Sequence, residues 1–145
     1  MIFRSEGDVR RWLRKAASRV WWFENKRGGS FGFPDSMVIH LGRPVFVELK
    51  LEECWHVEAH PSQLNVVQEL RAAGAAAAFL AGRKGAGELA LFGPGAMERV
   101  GHTSGFGGRT RYSLIKAGGG RLFDGSSVIE ILGAIERNDF PDSFG

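Results

Sequence analysis

The segment Phe33-Pro34-Asp35-Ser36-Met37-Val38-Ile39-His40-Leu41-Gly42-Arg43-Pro44-Val45-Phe46-Val47-Glu48-Leu49-Lys50 constrains the fold more than any other part of the chain. Two β-prone runs flank Gly42-Arg43-Pro44, where the chain can reverse, so the segment reads as a hairpin. In its second strand Val45, Val47, Leu49 and Leu51 point one way and Phe46, Glu48, Lys50 and Glu52 the other, because side chains alternate across a strand. One face can enter a core, and the other presents charge. Pro34 fixes its own φ and restricts Phe33, which holds Asp35 at the entry of the first strand, within reach of Glu48 across the hairpin.

A lone E-x-K alternation is most simply a solvated strand face. Two converging carboxylates are different: each raises the pKa of the other, so the pair needs a cation. Carboxylate and carbonyl oxygens suit Mg²⁺ or Mn²⁺, and the chain has no Cys/His cluster for zinc. Lys50, on the face of Glu48, would stand beside such an ion, placed to orient or help deprotonate a water and to stabilise charge on a phosphate. This combination points to phosphodiester hydrolysis.

Pro34-Asp35 followed by Glu48-Leu49-Lys50 on the next strand resembles the signature of the PD-(D/E)xK nucleases, in the local phrasing of their VRR-NUC and Holliday-junction-resolvase-like branch. The resemblance spans about residues 5–82. It implies an α/β, restriction-endonuclease-like core of helix, three-stranded meander, helix and strand, with metal-dependent cleavage of DNA. Carried over residue by residue, it implies Asp35 and Glu48 as metal ligands, with Leu49 lending its main-chain carbonyl and Lys50 as the catalytic lysine. Gln63, in His60-Pro61-Ser62-Gln63-Leu64, matches the glutamine that opens the helix after the catalytic strand, and Glu6 matches a glutamate early in the first helix. Resolvase-like relatives cut two strands, which makes a two-fold homodimer a plausible assembly. The run Leu51-Glu52-Glu53-Cys54-Trp55-His56 departs from the family's phrasing.

The rest of the chain fits around this centre. Ser5 and Asp8 form a helix-start pattern, and Val9, Trp12, Leu13 and Ala16 recur at helical spacing, predicting a helix over about 6–19. Glu6 in its first turn has two readings, a site acid or an acid favoured by the helix dipole. Val20-Trp21-Trp22-Phe23 reads as a strand, and residues 52–59 as a connector. Trp55 could wedge against an unstacked base, and His56 or His60, which follows the connector, could contact phosphate, although packing or capping is the simpler account of each. Pro61 suits the first turn of a helix to about Ala73, with Leu64, Val67 and Leu70 apolar and Gly74 as its stop. A small-residue strand follows at 75–81.

Residues 83–145 read as a β/α extension of the same domain. It holds strands at 88–92 and 109–116, with a glycine loop at 101–108 that is either a mobile clamp or a plain connection. Ser127 to Glu130 is a capping-box pattern opening a last helix, whose stripe of Val128, Ile131, Leu132 and Ile135 docks on the core or serves a dimer.

At 145 residues, with 43% hydrophobic and 24% charged, the chain is one soluble domain's worth. The single cysteine, Cys54, cannot form an intramolecular disulfide. Neither a signal-peptide core nor a membrane-length apolar run is present, so a cytoplasmic setting is expected, including a host's cytoplasm for a phage protein. Residues 4–27 carry eight basic residues against three acidic, a net of +5 in a chain of net +3. A basic segment beside a carboxylate site suits a DNA backbone, with Arg11, Arg14, Lys15, Lys26 and Arg27 as candidate contacts, although for charge alone a solvated helix face is the simpler account.

The leading expectation is a Mg²⁺- or Mn²⁺-dependent DNA endonuclease, structure-specific, in repair, recombination or phage replication. Against it stands a catalytically idle nuclease-fold protein that binds DNA or belongs to a virion. Metal-dependent cutting separates them.

Overall fold

The computed structural model describes residues 1–17, 19–23, 32–102, 110–114, 121–124 and 127–141. Ser5 caps the first helix, α1 (Glu6–Ala16), with a reciprocal capping box to Asp8, which satisfies two of the amides that a helix start leaves without partners. Val9, Trp12 and Leu13 form its buried stripe. The helix ends at Ala16 rather than near 19: Ala17 is extended, and the chain turns into the next strand.

That strand, β1 (Val20–Trp22), pairs antiparallel with β2 (Ser36–His40), and β2 pairs antiparallel with β3 (Arg43–Glu52). The reversal between β2 and β3 is Leu41-Gly42, not Gly42-Arg43-Pro44. His40 pairs with Arg43, and the two central residues have φ of 51° and 77°, the left-handed pair whose twist matches that of a hairpin. Glycine adopts that φ freely, whereas proline's ring fixes φ near −65°, so Arg43-Pro44 falls into the strand instead.

After β3 comes a second tight turn, Cys54-Trp55, with φ of 49° and 67° at two non-glycine residues. The Trp55 N–H donates to Glu52 Oε1 at 2.9 Å and its ring lies 4.1 Å from the Arg83 guanidinium carbon, contacts that offset the backbone strain. The expected connector is therefore partly a strand, β4 (His56–Ala59). Helix α2 (Pro61–Ala72) then crosses over to β5 (Ala76–Arg83), which runs parallel to β3 from Val45↔Ala76 to Glu52↔Arg83. Gly74, with φ of 92°, ends the helix.

The remaining strands are β6 (Glu88–Phe92), β7 (Met97–His102), β8 (Thr110–Leu114) and β9 (Arg121–Asp124), followed by α3 (Val128–Glu136). Strands β7 and β9 are additions to the sequence reading, since Met97-Glu98-Arg99-Val100-Gly101-His102 and Arg121-Leu122-Phe123-Asp124 lack a clean two-residue alternation. Most of the glycine loop expected at 101–108 lies outside the described residues; Gly101 and His102 close β7. Ser127 precedes α3 without a side-chain cap.

A six-stranded mixed sheet, in the order β1-β2-β3-β5-β6-β9, is the centre of the fold, and β4-β8-β7 form a second, antiparallel sheet. Two apolar layers cover the large sheet. On one face α1 and α3 press Val9, Trp12, Leu13, Ile131, Leu132 and Ile135 against Val45, Val47, Leu49 and Leu80. Each such fully buried side chain contributes about 1.5–3 kcal/mol relative to exposure. The last helix thus docks on the core. On the other face Val67 of α2, with Val57 and Ala59 of β4 and Tyr112 of β8, packs on Phe79, Ala81 and Phe92. No helix among the described residues is long and apolar enough to cross a membrane.

Candidate active site

The site lies where the sheet forks. Strands β2 and β3 pair only as far as Ser36↔Val47, whereas β3 and β5 continue to Glu52↔Arg83. Among the described residues, no strand pairs with residues 48–52 of β3 on their β2 side. Asp35 stands in the notch, one residue before β2, anchored through its own main chain: its C=O accepts from Phe23 N–H at 2.9 Å. Phe33, just upstream, makes edge-to-face contacts with Phe23 and Phe46 at 5.3 and 5.6 Å between centroids, so the Phe33-Pro34 approach is fixed by aromatic packing as well as by proline.

The alternation of β3 is as expected, but its charged face is not solvated. Glu48, Lys50 and Glu52 are 3%, 3% and 2% exposed, because α2 and β4 cover that face. A buried charge must be paired and hydrogen-bonded. Glu48 Oε2 accepts from Asp35 N–H at 2.9 Å, and Glu48 Oε1 accepts from Gln63 Nε2 at 2.7 Å. Gln63 Oε1 accepts from Lys50 Nζ at 2.9 Å and from His60 N–H at 3.0 Å. Lys50 Nζ lies 3.6 Å from Glu48 Oε1. Gln63 thus joins acid to base from the first turn of α2, and its place there depends on Gly32. With φ of +85°, Gly32 approaches so closely that a Cβ would come within 2.4 Å of the Ser62 carbonyl oxygen. Glu52 takes no part, being committed to Trp55 N–H and to Arg83 Nε at 3.3 Å.

Asp35 Oδ1 accepts from Leu49 N–H at 3.1 Å, and Asp35 Oδ2 receives Arg10 Nη2 at 3.3 Å. Since N–H and C=O of one strand residue leave on the same edge, the Leu49 carbonyl faces the notch too. Burial, opposed by the Leu49 N–H and the Arg10 charge, pushes Asp35 up to about 6. Burial first, and then the Asp35 charge, pushes Glu48 up to about 8, although donors converge on it.

Asp35, Glu48, Leu49, Lys50 and Gln63 line a cleft of about 410 Å³ together with Glu6, Arg10, Arg14, Trp22 and Phe23. Glu6, the first residue of α1, is half-buried there, and its charge acts on both acids in the raising direction. Of the expected DNA contacts among the described residues, only Arg14 lines the cleft. Arg11 pairs with Asp8, and it and Lys15 are exposed outside the lining; Lys26 and Arg27 lie outside the described residues. Arg10, one of the eight basic residues of 4–27, is not among the DNA contacts that the sequence singles out. The signal for it was helical spacing, since Glu6, Arg10 and Arg14 recur every four residues and share one side of α1.

The donor set can be tested against a divalent ion. Among the described residues no group of three or more His, Cys, Asp or Glu side chains has metal-binding geometry. Two buried carboxylates whose pKa values are both raised, with a main-chain carbonyl facing the same notch, nonetheless form an all-oxygen donor set, with Arg10 at Asp35 and Lys50 at Glu48 as its positive neighbours. That set fits Mg²⁺ or Mn²⁺, which complete their coordination with water and phosphate oxygens, and does not fit zinc.

The solved structure of Hjc, a Holliday junction resolvase from the archaeal hyperthermophile Archaeoglobus fulgidus, superposes on this chain with a TM-score of 0.54. The match covers 88% of this chain and 92% of that one, at 16% sequence identity. The fold is restriction-endonuclease-like. No protein-family model and no curated protein sequence matches the chain. What the two proteins share is therefore visible in the order and pairing of elements, with most side chains exchanged.

Proposed function

We propose that this protein is a structure-specific DNA endonuclease that hydrolyses phosphodiester bonds with Mg²⁺ or Mn²⁺, working as a single nuclease domain. The observation that carries the reading is the buried Asp35–Glu48–Gln63–Lys50 network at the fork of the sheet. A buried acid pair and a buried lysine are poor devices for stability, since well-packed apolar residues do as well or better. Chemistry is a better reason to keep them. Branched DNA is the favoured substrate, because the resolvase with the same fold acts on a four-way junction, and a homodimer would supply two sites. The local phrasing around Asp35 and Glu48-Leu49-Lys50 resembles that of the VRR-NUC and Holliday-junction-resolvase-like branch.

Asp35, Glu48 and the Leu49 carbonyl would hold the ion, whose contribution is to lower the pKa of water and to neutralise phosphate charge. Lys50, held by Gln63, keeps a positive charge at the cleft floor, where it orients the attacking water and stabilises the charge growing on the phosphate. Gln63 is a positioning residue. Glu6 adds negative charge beside the two acids, and Arg14 on the rim offers a guanidinium to a phosphate.

The test is a denaturing gel of labelled linear, single-stranded and four-way-junction DNA incubated with wild type and Lys50→Ala in Mg²⁺, Mn²⁺ or EDTA. Cutting that requires both metal and Lys50, greatest on the junction, is the expected result. Binding without cutting in every condition would replace this reading with a catalytically idle DNA-binding protein.

A further inference from the structure

The four oxygens of the acid pair are not held alike. Asp35 Oδ1 and Glu48 Oε2 take main-chain N–H groups, and Glu48 Oε1 takes the buried amide of Gln63. Freeing either of the first two would mean moving main chain, and freeing the third would break the buried link from Gln63 to Lys50. Asp35 Oδ2 instead takes Arg10 Nη2 at 3.3 Å, from a side chain 49% exposed on a surface helix. Asp35 is buried but the Arg10 end of the pair is half-exposed and rides on a long side chain, so this contact alone can be given up without moving any main chain. Arg10 also has somewhere to go. Its guanidinium carbon lies 5.3 Å from the Trp22 ring centroid, and that of Arg14, one turn on, lies 5.4 Å from the same centroid. The ring provides an aromatic wall at the cleft mouth along which a guanidinium can slide while keeping its cation–π contact.

We infer that Arg10 is a displaceable counter-ion: it holds Asp35 Oδ2 while no divalent cation is bound, then yields that oxygen to the cation and joins Arg14 at the rim to meet a DNA phosphate. The inference rests on the reading that Asp35 and Glu48 bind a divalent ion. Two consequences follow. Arg10 competes with the metal, so its loss tightens metal binding. And Arg10 reaches DNA only when metal is present, so its share of the salt dependence of DNA binding is conditional on metal.

Mn²⁺ alone, without DNA, is titrated into wild type, Arg10→Gln, Arg14→Gln and Asp35→Asn, with free Mn²⁺ followed by electron paramagnetic resonance. Arg10→Gln is expected to bind Mn²⁺ about threefold or more tighter than wild type, Arg14→Gln like wild type, and Asp35→Asn far more weakly. In parallel, the affinity for a four-way junction is measured against salt concentration in EDTA and in Ca²⁺. Arg10→Gln should lower the salt slope by about one in Ca²⁺ and leave it unchanged in EDTA. Metal binding that depends on Asp35 but is no tighter in Arg10→Gln, or a slope lowered equally in both conditions, overturns the role of Arg10 and leaves the proposed function standing. Wild type that takes up no Mn²⁺, or takes it up regardless of Asp35, overturns the metal site itself and the inference with it.

Discussion

Asp35→Asn should stabilise the metal-free protein while abolishing its proposed activity, and the size of the effect can be worked from the site. The folded-state pKa of Asp35 is raised from 3.8 to about 6 by burial, so around pH 8 the carboxylate is ionised in folded and unfolded chains alike and the folded chain bears the cost. At 1.36 kcal/mol for each tenfold shift in the ionisation constant, that cost is about 3 kcal/mol. Asparagine removes it while its carbonyl can still accept from Leu49 N–H. The Arg10 attraction is already contained in that shift, but the amide leaves an N–H group facing Arg10 without an acceptor, at about 1 kcal/mol, so burial wins and roughly 2 kcal/mol of net gain remains.

For a chain of this length such a gain raises Tm by about 6–8 °C. The Asp35 charge is also the second cause of the raised Glu48 pKa, so its removal works in the same direction there. Because the folded pKa is raised, the wild-type penalty is absent below the unfolded pKa, near pH 4, and is fully present once the pH passes about 6. The gap in Tm should accordingly open between those values. Saturating Mg²⁺ should then reverse the order, since an ion at 100 times its Kd stabilises only the protein that binds it, by about 2.7 kcal/mol. The assay is thermal unfolding followed by circular dichroism from pH 4 to 8, in EDTA and in Mg²⁺. A variant no more stable than wild type at pH 8 in EDTA, or a gap that does not close toward pH 4, would mean that burial does not penalise the Asp35 charge.

Three further outcomes are expected. Gln63→Leu strands Lys50 and Glu48 in the interior without their shared partner, so chemical denaturation should show a loss of about 2–4 kcal/mol, and cleavage should fall with it. Gly32→Ala forces a Cβ against the Ser62 carbonyl at a φ of +85°, which should cost about 2–3 kcal/mol in the same measurement and lower the cleavage rate by displacing the first turn of α2. Arg14→Gln should weaken junction binding and lower its salt slope by about one, whereas Arg11→Gln, already paired with Asp8 outside the cleft, should change the slope by much less.

Much of this arrangement is legible in the chain as written. The alternation from Val45 to Glu52 assigns each side chain of β3 to a face, because the period of a strand is two wherever it lies. The Ser5/Asp8 capping box, Pro61 at the start of α2 and Gly74 at its end are local chemistry, and local chemistry is what a sequence displays most directly. By contrast β4 is hidden: Glu53-Cys54-Trp55-His56 carries no glycine or proline to mark a turn, and its left-handed pair is held by Glu52 and Arg83, residues outside the turn itself.

Alternation determines which side of a strand a residue faces, but not what lies over that side. Glu48, Lys50 and Glu52 share a face by sequence alone. That α2 and β4 bury this face, raise the pKa of Glu48 and require Gln63 as a go-between is a matter of tertiary structure. So is Arg10, which is one arginine among several along α1 until the packing of that helix on the sheet turns it toward Asp35. Residue type and strand period are local properties, so the residues able to carry the chemistry can be read along the chain. Which of them meet, and in what dielectric, follows from packing, because burial and long-range contact depend on where the other elements lie.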